Sequence, residues 1–428
     1  MSEQASRGAV HTAGSYRRLL SNRETVAVLS WRGVSSMGDQ IARAVLALVV
    51  LQRGDGGPVL SALVLAISYV PVTFGSALLG SLADRFPRRT VIMVCEAARA
   101  ILVAGLALLV SFDSPLWAIL LLLLVTEMFS PPSAAASQSL LPDLARDHAE
   151  YQMAYAVRGT LDQVMQVVGF VLGGIALQVA TASWALLFDS LTFVAGFVIV
   201  AVFVRPRGAT DSPGTSMRRI MGDVRIGAHT VSSTPALRWL AALAWVSAAL
   251  LVATDGVALP YAQGQGSTDA VATALLAATP AGAAIAAVLV GRLSMSRQIG
   301  LLFPLAAAST LPMVLTGLDP PLAVAWLLWF GVGLCQGYVV TVMTLTVVLT
   351  PLAQRGRVTG LMSAGFNGVA AVTLLTMGLL TQAVTAAFAL SLTGSIGLVA
   401  VLLLWMLWPQ RAVKQAVRTT YGATSRRV

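Results

Sequence analysis

Long apolar stretches, separated by short polar turns, repeat along nearly the whole chain. Each stretch has about 20 residues or more, the length that an α-helix needs to cross a hydrocarbon layer of about 30 Å. The spans that this pattern predicts are 26–51, 58–83, 90–111, 115–140, 152–179, 183–204, 236–262, 269–292, 297–317, 320–351, 356–382 and 385–408. The expected fold class is therefore an all-α membrane protein with twelve transmembrane helices.

One longer polar segment, residues 205–235, divides the predicted spans into two sets of six. The two sets echo each other faintly, since Gly80 corresponds to Gly291 and Pro142 to Pro351 at nearly equal offsets. Parallel repeats of this kind are typical of membrane proteins whose two halves rock about a central site, so we expect pseudo-symmetric six-helix halves. The predicted domains are a tail 1–25, a bundle 26–204, a linker 205–235, a bundle 236–408 and a tail 409–428.

The linker has a helical pattern of its own. Apolar residues recur at helical spacing from Met217 to Val231, while Arg218, Arg219 and Arg225 mostly take the other side. This pattern predicts a short amphipathic helix on the inner leaflet. A disordered linker is the alternative.

The number of charged residues and their distribution between the turns both indicate a membrane protein. Only 11% of the residues are charged, against roughly 25% in soluble domains, and 57% are hydrophobic. Most of the 28 Lys and Arg residues lie in the tails or in even-numbered turns, and Arg53 alone lies in an odd-numbered turn. This asymmetry predicts a multi-pass protein of the cell (inner or plasma) membrane with both termini in the cytoplasm. Anionic lipid headgroups, rather than nucleic acid, are the expected partners of the net charge of +10.

The turn between spans two and three reads GSLADRFPRR and is the most specific motif in the chain. With it, the chain resembles the major facilitator superfamily, especially its bacterial twelve-helix drug and natural-product exporters, from about residue 25 to 410. The family pattern is met at Gly80, Asp84, Arg85, Arg88 and Arg89, while Pro87 replaces a usual Gly. The resemblance implies that this motif latches the cytoplasmic ends of the two halves and responds to protonation.

Weaker likenesses to the same branch occur elsewhere. They are Gly38 and Asp39 in span one, Arg99 in span three, GFVLGG with Gly169, Gly173 and Gly174 in span five, and RGRV from Arg355 to Val358. Two departures leave the direction of transport open. Phe170 stands where the antiporter motif of span five usually has Pro, and span four offers Glu127 and Ser137 instead of an Arg.

Charged residues inside the predicted spans are functional candidates, because an ionised side chain at the bilayer centre costs roughly 2.5 to 3.5 kcal/mol. Asp39 and Arg43 are four residues apart, as are Arg158 and Asp162, so each pair shares a helix face. We expect proton coupling at Asp39, Asp162 or Glu127, with Arg43, Arg99 and Arg158 as charge partners. The alternative is that these groups, with Glu96, only neutralise one another and hold the half together. Asp189 and Asp255 are expected near the outer ends of spans six and seven, where water reaches them.

The leading functional hypothesis is a proton-coupled secondary exporter of hydrophobic or amphipathic small molecules that works by alternating access. A dedicated exporter or importer of one metabolite, such as a siderophore, remains open, as does a non-transporting sensor or an intramembrane enzyme. Phosphate-loop, zinc-protease and serine-hydrolase motifs do not occur in the sequence, so ATP-driven transport and catalysis are not expected. The expected partners are the substrate, protons and lipids; no metal or cofactor is expected, and the protein is expected to be a monomer.

Several aromatic residues of the second half suggest an apolar pocket. They are Trp245, Trp326, Trp329, Tyr338 and Phe366. The alternative for the tryptophans is that they anchor helix ends at the membrane interface.

The charge asymmetry generates a topology prediction. In a background lacking Cys95 and Cys335, a membrane-impermeant thiol reagent added to intact cells should label Ser267→Cys and should not label Ser212→Cys. Ser267 is predicted outside and Ser212 inside, and disruption of the cells should expose the latter. Labelling of Ser212→Cys in intact cells would contradict the orientation.

Overall fold

The computed structural model describes residues 21–53, 57–73, 86–207, 217–351 and 354–408. Over these ranges the chain is helical, and the described part contains no strand. The helices are α1 Arg23–Gln52, α2 Gly57–Thr73, α3 Arg88–Ser111, α4 Leu116–Leu144, α5 His148–Val179, α6 Ala182–Phe203, α7 Met217–Ser233, α8 Pro235–Gly264, α9 Asp269–Gly291, α10 Met295–Thr316, α11 Leu322–Leu349, α12 Arg355–Ala383 and α13 Ala386–Leu407.

Among the described residues, eleven helices are long and apolar enough to cross a membrane. They coincide with eleven of the predicted spans, which confirms an all-helical, multi-pass membrane protein. The helix α2 covers the first part of predicted span 58–83, and the remainder of that span lies largely outside the described residues. The helix α7 falls within the predicted linker.

Three of the spans are interrupted just before a proline. The breaks lie at Ser68 before Pro71 in α2, at Met128 and Phe129 before Pro131 and Pro132 in α4, and at Ser309 before Pro312 in α10. Proline has no amide hydrogen, and its ring clashes with the carbonyl group of the preceding turn, so the regular helical hydrogen bonding is interrupted there. A fourth break, at Gln336 and Gly337 in α11, has no proline beside it.

The distribution of polar and apolar side chains is the reverse of that in a soluble protein. Large apolar side chains are exposed along the spans, as at Ile101 (73%) and Trp117 (68%). Charged side chains are buried in the interior, as at Glu96 (1%), Arg99 (2%) and Asp189 (1%). An apolar exterior with buried, partnered charges suits a protein whose surroundings are lipid.

By their contacts, the described residues form two compact units, one within Met1–Val45 and Leu78–Gly214, the other within Leu46–Ala77 and Thr215–Val428. In the first unit α3 packs along α6 and beside α4. Its apolar core includes Val28, Trp31, Ile92, Leu140 and Val200. In the second unit α8 packs against α12 and α13, and α9 packs along α11.

The second unit also contains α2, which the predicted bundle 26–204 had assigned to the first half. The helices α2 and α12 pack closely because Gly378 carries no side chain. A Cβ atom there would lie 2.7 Å from Ala62 Cβ and 3.0 Å from Val59 Cα. The prediction grouped α2 with α1 and α3 because they adjoin it in the sequence. In the structure, α2 packs through small residues against α12.

The helix α7 is fastened to the start of α12. Arg357 Nε lies 2.7 Å from Asp223 Oδ1, and the Thr230 hydroxyl lies 2.8 Å from Gln354 Oε1. Gly227 allows the two helices to approach, because a Cβ atom there would lie 2.9 Å from the Arg357 carbonyl oxygen. These contacts hold one face of α7, while Met221 stays 68% exposed.

The tightest backbone approach in the second unit lies between α9 and α11. A Cβ atom on Gly333 would lie 2.9 Å from the Ala283 nitrogen, and one on Gly282 would lie 2.6 Å from the Leu334 nitrogen. Small residues permit this approach, which van der Waals contact then stabilises in the absence of a hydrophobic driving force. Backbone atoms cannot rotate away as side-chain ends can.

This contact predicts a difference between two glycines on the same helix. Gly333→Ala should destabilise the protein by about 1 to 3 kcal/mol, because the new methyl group overpacks a backbone contact. Gly331→Ala is the matched control, since its Cβ would meet only Pro312 Cγ at 3.6 Å. Thermal unfolding in detergent should show a lower midpoint for Gly333→Ala alone; equal midpoints would contradict the role of the close approach.

Candidate functional site

The candidate site is a cluster of charged side chains inside the first unit, centred on Arg99. The buried face of α3 repeats every three or four residues through Ile92, Cys95, Glu96, Arg99, Ala100 and Val103. This register carries the guanidinium of Arg99 into the interior, where it forms a salt bridge with Asp39 of α1. It also lies 4.3 Å from the centre of the Phe193 ring of α6, a cation–π contact.

Glu96 lies one turn before Arg99 and is also buried. The Ser133 hydroxyl of α4 lies within 3.3 Å of Glu96 Oε1 and donates a hydrogen bond to it. On the α6 side, Gly196 leaves room for the carboxyl group, because a Cβ atom there would lie 2.9 Å from Glu96 Oε2. Three helices therefore enclose this carboxyl group.

Glu127 ends the first segment of α4, directly before the break at Met128. Its carboxyl group pairs with Arg43 of α1 at 3.8 Å, and the Arg43 guanidinium also donates to Gln40 Oε1 at 3.5 Å. The shared face of Asp39 and Arg43 suggested a pair between these two residues. In the structure each pairs with a different helix, because α3 presents Arg99 to Asp39 and α4 presents Glu127 to Arg43.

Asp162 of α5 has two cationic partners. Arg158, one turn earlier, lies 3.9 Å away as its spacing suggested, and Arg32 of α1 lies closer, at 3.2 Å. The Asp162 side chain is 32% exposed, so water reaches this group more readily than it reaches Arg99. The sequence analysis did not select Arg32 as a charge partner, although a basic residue within a predicted span is a functional candidate.

Asp189 of α6 is 1% exposed, so the expectation that water reaches it was wrong. Its helix face packs on α3 and α1 rather than facing an outer end. The Thr192 hydroxyl lies 3.1 Å from Asp189 Oδ1, and Asp189 Oδ2 has no hydrogen-bond partner among the described residues. Gly38 of α1 accommodates the carboxyl group, because a Cβ atom there would collide with Asp189 Oδ1. Asp255, the other residue of that expectation, is partly buried within α8.

The charged turn before α3 lies only partly within the described residues. Gly80, Asp84 and Arg85 fall outside them. Arg88 forms a salt bridge with Asp143 near the end of α4, and the Arg89 guanidinium donates to the Ala201 carbonyl oxygen near the end of α6. Both contacts fasten the start of α3 within its own unit.

The glycines of α5 pack against α1. A Cβ atom on Gly169 would lie 2.6 Å from the Met37 carbonyl oxygen, and one on Gly173 would lie 3.2 Å from Ala44 Cβ. Gly174 is also buried. The described contacts of Gly169 and Gly173 are therefore helix packing.

The aromatic candidates lie in the second unit. Trp326 and Trp329 donate hydrogen bonds to the Ala274 carbonyl oxygen (3.0 Å) and to the Thr316 hydroxyl (3.1 Å). Tyr338 is buried and accepts a hydrogen bond from Ser247 at 2.8 Å.

Trp245 and Phe366 are partly buried. A Cβ atom on Gly365 would collide with the Trp245 indole. Trp245 Nε1 is buried and has no hydrogen-bond partner among the described residues, so it differs from Trp326 and Trp329 in keeping a free donor.

A sequence model of the Major Facilitator Superfamily matches residues 32–351. The chain belongs to this superfamily. As a superfamily member it is a membrane transporter and not an enzyme.

Relatives with similar sequences are transporters. The chain is 30% identical over 183 residues to the uncharacterized MFS-type transporter YfiS of Bacillus subtilis (strain 168), covering 42% of this chain and 38% of YfiS. It is 26% identical over 368 residues to the multidrug efflux pump Tap of Mycobacterium tuberculosis (strain ATCC 25618 / H37Rv), covering 82% of this chain and 85% of Tap. The match thus spans well under two thirds of YfiS but most of Tap.

Solved structures share the fold. A POT family transporter in complex with a thioalcohol-conjugated peptide gives a TM-score of 0.73 at 11% identity, covering 91% of this chain and 96% of that one. A mutant of the nucleoside transporter NupG gives 0.71 at 12% identity, covering 90% of this chain and all of that one (100%). At these identities the likeness shows the superfamily fold alone.

The charged side chains of the cluster all lie within the first unit. The carboxyl groups in electrostatic range of Arg99 are Asp39, Glu127, Glu96 and Asp189. Besides Arg99, Arg43 pairs with Glu127, and Arg32 lies within electrostatic range of Glu96. Arg99 therefore lies within electrostatic range of more carboxyl groups than the one with which it forms a salt bridge.

Arg99 should be essential to the stability of the first unit. Arg99→Met should cost about 3 to 5 kcal/mol, because it leaves Asp39 as an unpaired buried charge. Arg88→Met is the control: its salt bridge with Asp143 has side chains 25% and 41% exposed, so its loss should cost at most about 1 kcal/mol. Adding Asp39→Asn to Arg99→Met should restore part of the loss. Thermal unfolding in detergent measures all three, and an Arg99→Met protein as stable as the wild type would refute the central role of Arg99.

Proposed function

We propose that this transporter is a proton-coupled exporter of hydrophobic or amphipathic small molecules that works by alternating access. The observation that carries the proposal is the similarity to the multidrug efflux pump Tap, which extends over 82% of this chain and 85% of Tap. A match of that extent includes both units rather than one shared segment. Export of more than one compound is the function that it supports best.

The charge cluster of the first unit supports proton coupling. Burial disfavours the ionised form of a carboxyl group, and a nearby guanidinium favours it, so small movements of the helices shift protons on and off. Asp39 is the first candidate because its partner, Arg99, is buried and belongs to another helix. Glu127 and Asp162 are further candidates, with Arg43, Arg32 and Arg158 as their partners.

The energy of one proton is sufficient for export. One charge crossing 100 mV releases roughly 2.3 kcal/mol, which supports a roughly 50-fold gradient when 1.4 kcal/mol corresponds to a factor of ten. One coupled proton per exported molecule is therefore sufficient.

The proposed architecture is twelve transmembrane helices in two six-helix halves, with both termini and the linker in the cytoplasm. The distribution of Lys and Arg between alternate turns supports this orientation, and the protein is proposed to act as a monomer in the inner or plasma membrane. The motif Gly80, Asp84, Arg85, Arg88 and Arg89 is proposed as the latch at the cytoplasmic side. Among the described residues of this motif, Arg88 and Arg89 contact Asp143 and the Ala201 carbonyl oxygen of their own unit.

Trp245 is the aromatic residue we propose to contact substrate. Its free Nε1–H lies inside the second unit beside Gly365, where a ligand that accepts a hydrogen bond would satisfy it. Trp326, Trp329 and Tyr338 already have partners on neighbouring helices, which suits a supporting role.

The test is transport by purified protein in proteoliposomes with an imposed pH gradient. Fluorescent cationic and neutral compounds should be moved uphill by the wild type, and an uncoupler should abolish this movement. Asp39→Asn should abolish uphill transport, because the permanently neutral amide cannot exchange a proton, while downhill equilibration persists. Asp162→Asn and Glu127→Gln should be measured beside it.

The control is Asp113→Asn, which alters a carboxyl group in the turn between α3 and α4, at a positive φ of 48° that Asn tolerates. It should transport as the wild type does. Undiminished uphill transport by all three test variants would eliminate their carboxyl groups as the proton carrier. Transport of a single compound from a varied panel would favour a dedicated metabolite transporter instead.

A further inference from the structure

Asp189 is, like Glu96, a fully buried carboxyl group of the cluster with no salt bridge among the described residues. It is 1% exposed, and Oδ2 has no hydrogen-bond partner among the described residues. The Thr192 hydroxyl lies 2.7 Å from the Asp189 carbonyl oxygen and 3.1 Å from Oδ1. If the hydroxyl hydrogen goes to the nearer carbonyl oxygen, Thr192 Oγ1 is left as an acceptor for a protonated carboxyl group.

The charged groups that face Asp189 come from three other helices. Asp39 on α1 and Glu127 on α4 repel a negative charge there, and Arg99 on α3 attracts it. Arg99, however, already forms a salt bridge with Asp39. Asp189 therefore competes with Asp39 for one guanidinium group.

The position of Asp189 is built into the packing of α1 and α6. Gly38 has no side chain, and the Asp189 carboxyl group occupies the space that a Cβ atom would need. The next residue along α1 is Asp39. The absence of a side chain at Gly38 therefore lets the Asp189 carboxyl group lie within electrostatic range of both Asp39 and Arg99.

We propose that Asp189 is a proton-binding residue that shares Arg99 with Asp39. When Arg99 pairs with Asp39, the proton is on Asp189 and its carboxyl group is neutral. When the proton moves from Asp189 to Asp39, Asp189 becomes the anion and takes Arg99, which stays charged throughout. The net charge of the three groups is the same in both states, so the exchange moves a proton without adding charge to the interior.

The use of this proton for transport rests on the function proposed above, whereas proton binding at Asp189 does not. The experiment therefore detects the bound proton itself, by the infrared carbonyl stretch of protonated carboxyl groups in purified protein without substrate. The wild type at neutral pH should show a buried carboxylic acid band. Asp189→Asn should lower the intensity of that band, to which Glu96 can also contribute, and Asp113→Asn, which alters a carboxyl group in a turn, should leave it unchanged.

A band that persists unchanged in Asp189→Asn would overturn the proposal. If Asp189→Asn does not reach the membrane at the wild-type level, Thr192→Val gives a second test. Loss of the hydroxyl beside Oδ1 should shift the frequency of the band, and an unshifted band would also overturn the proposal.

Gly38→Ala tests the packing argument. The methyl group should displace the Asp189 carboxyl group and shift the same band, whereas Gly33→Ala, whose Cβ would meet only the flexible end of Leu161, should leave it in place. An unshifted band in Gly38→Ala would overturn the shared site. A wild type that shows the band but no transport driven by a pH gradient would contradict the proposed function and leave proton binding at Asp189 intact.

Discussion

A guanidinium group does not lose its proton inside a protein, so Arg99 needs a counter-charge wherever α3 places it. In a hydrocarbon layer, water is not available to solvate this charge. In the first unit, side chains of four helices surround the Arg99 guanidinium instead. Asp39 gives the direct salt bridge, Phe193 covers the guanidinium, and other carboxyl groups lie around it. The packing of α1, α3, α4 and α6 is thus tied to a single cation.

Much of the fold follows from the sequence because the membrane restricts the choices. A segment of about 20 apolar residues has to be helical when no water can satisfy its backbone, so hydropathy alone locates the eleven described spans. The breaks in α2, α4 and α10 follow from Pro71, Pro131 and Pro312, since each removes a helical hydrogen bond. Proline alone does not determine the breaks, however, because Pro260 and Pro280 lie inside uninterrupted helices α8 and α9.

The site was only partly predictable because its pairs join different helices. Spacing along one helix shows that Asp39 and Arg43 share a face, but it cannot show that Arg99 and Glu127 are presented to that face. The burial of Asp189 depends on Gly38, which lies about 150 residues earlier in the chain and has no side chain to occupy the space of the carboxyl group. The i, i+4 pair of Arg158 and Asp162 needs one helix alone, and it was predicted correctly.

The order of the charged residues along the chain has a consequence for biosynthesis. A polypeptide is made from its N-terminus, so Asp39 exists before Arg99 emerges from the ribosome. The helix that carries the cation can therefore be neutralised by one that is already in the membrane. Glu127 and Asp189 follow only afterwards, when the cation has a partner. The order is reversed for Arg32 and Arg43, whose partners Asp162 and Glu127 are made after them, so α1 has to wait for α4 and α5 before these two cations are paired.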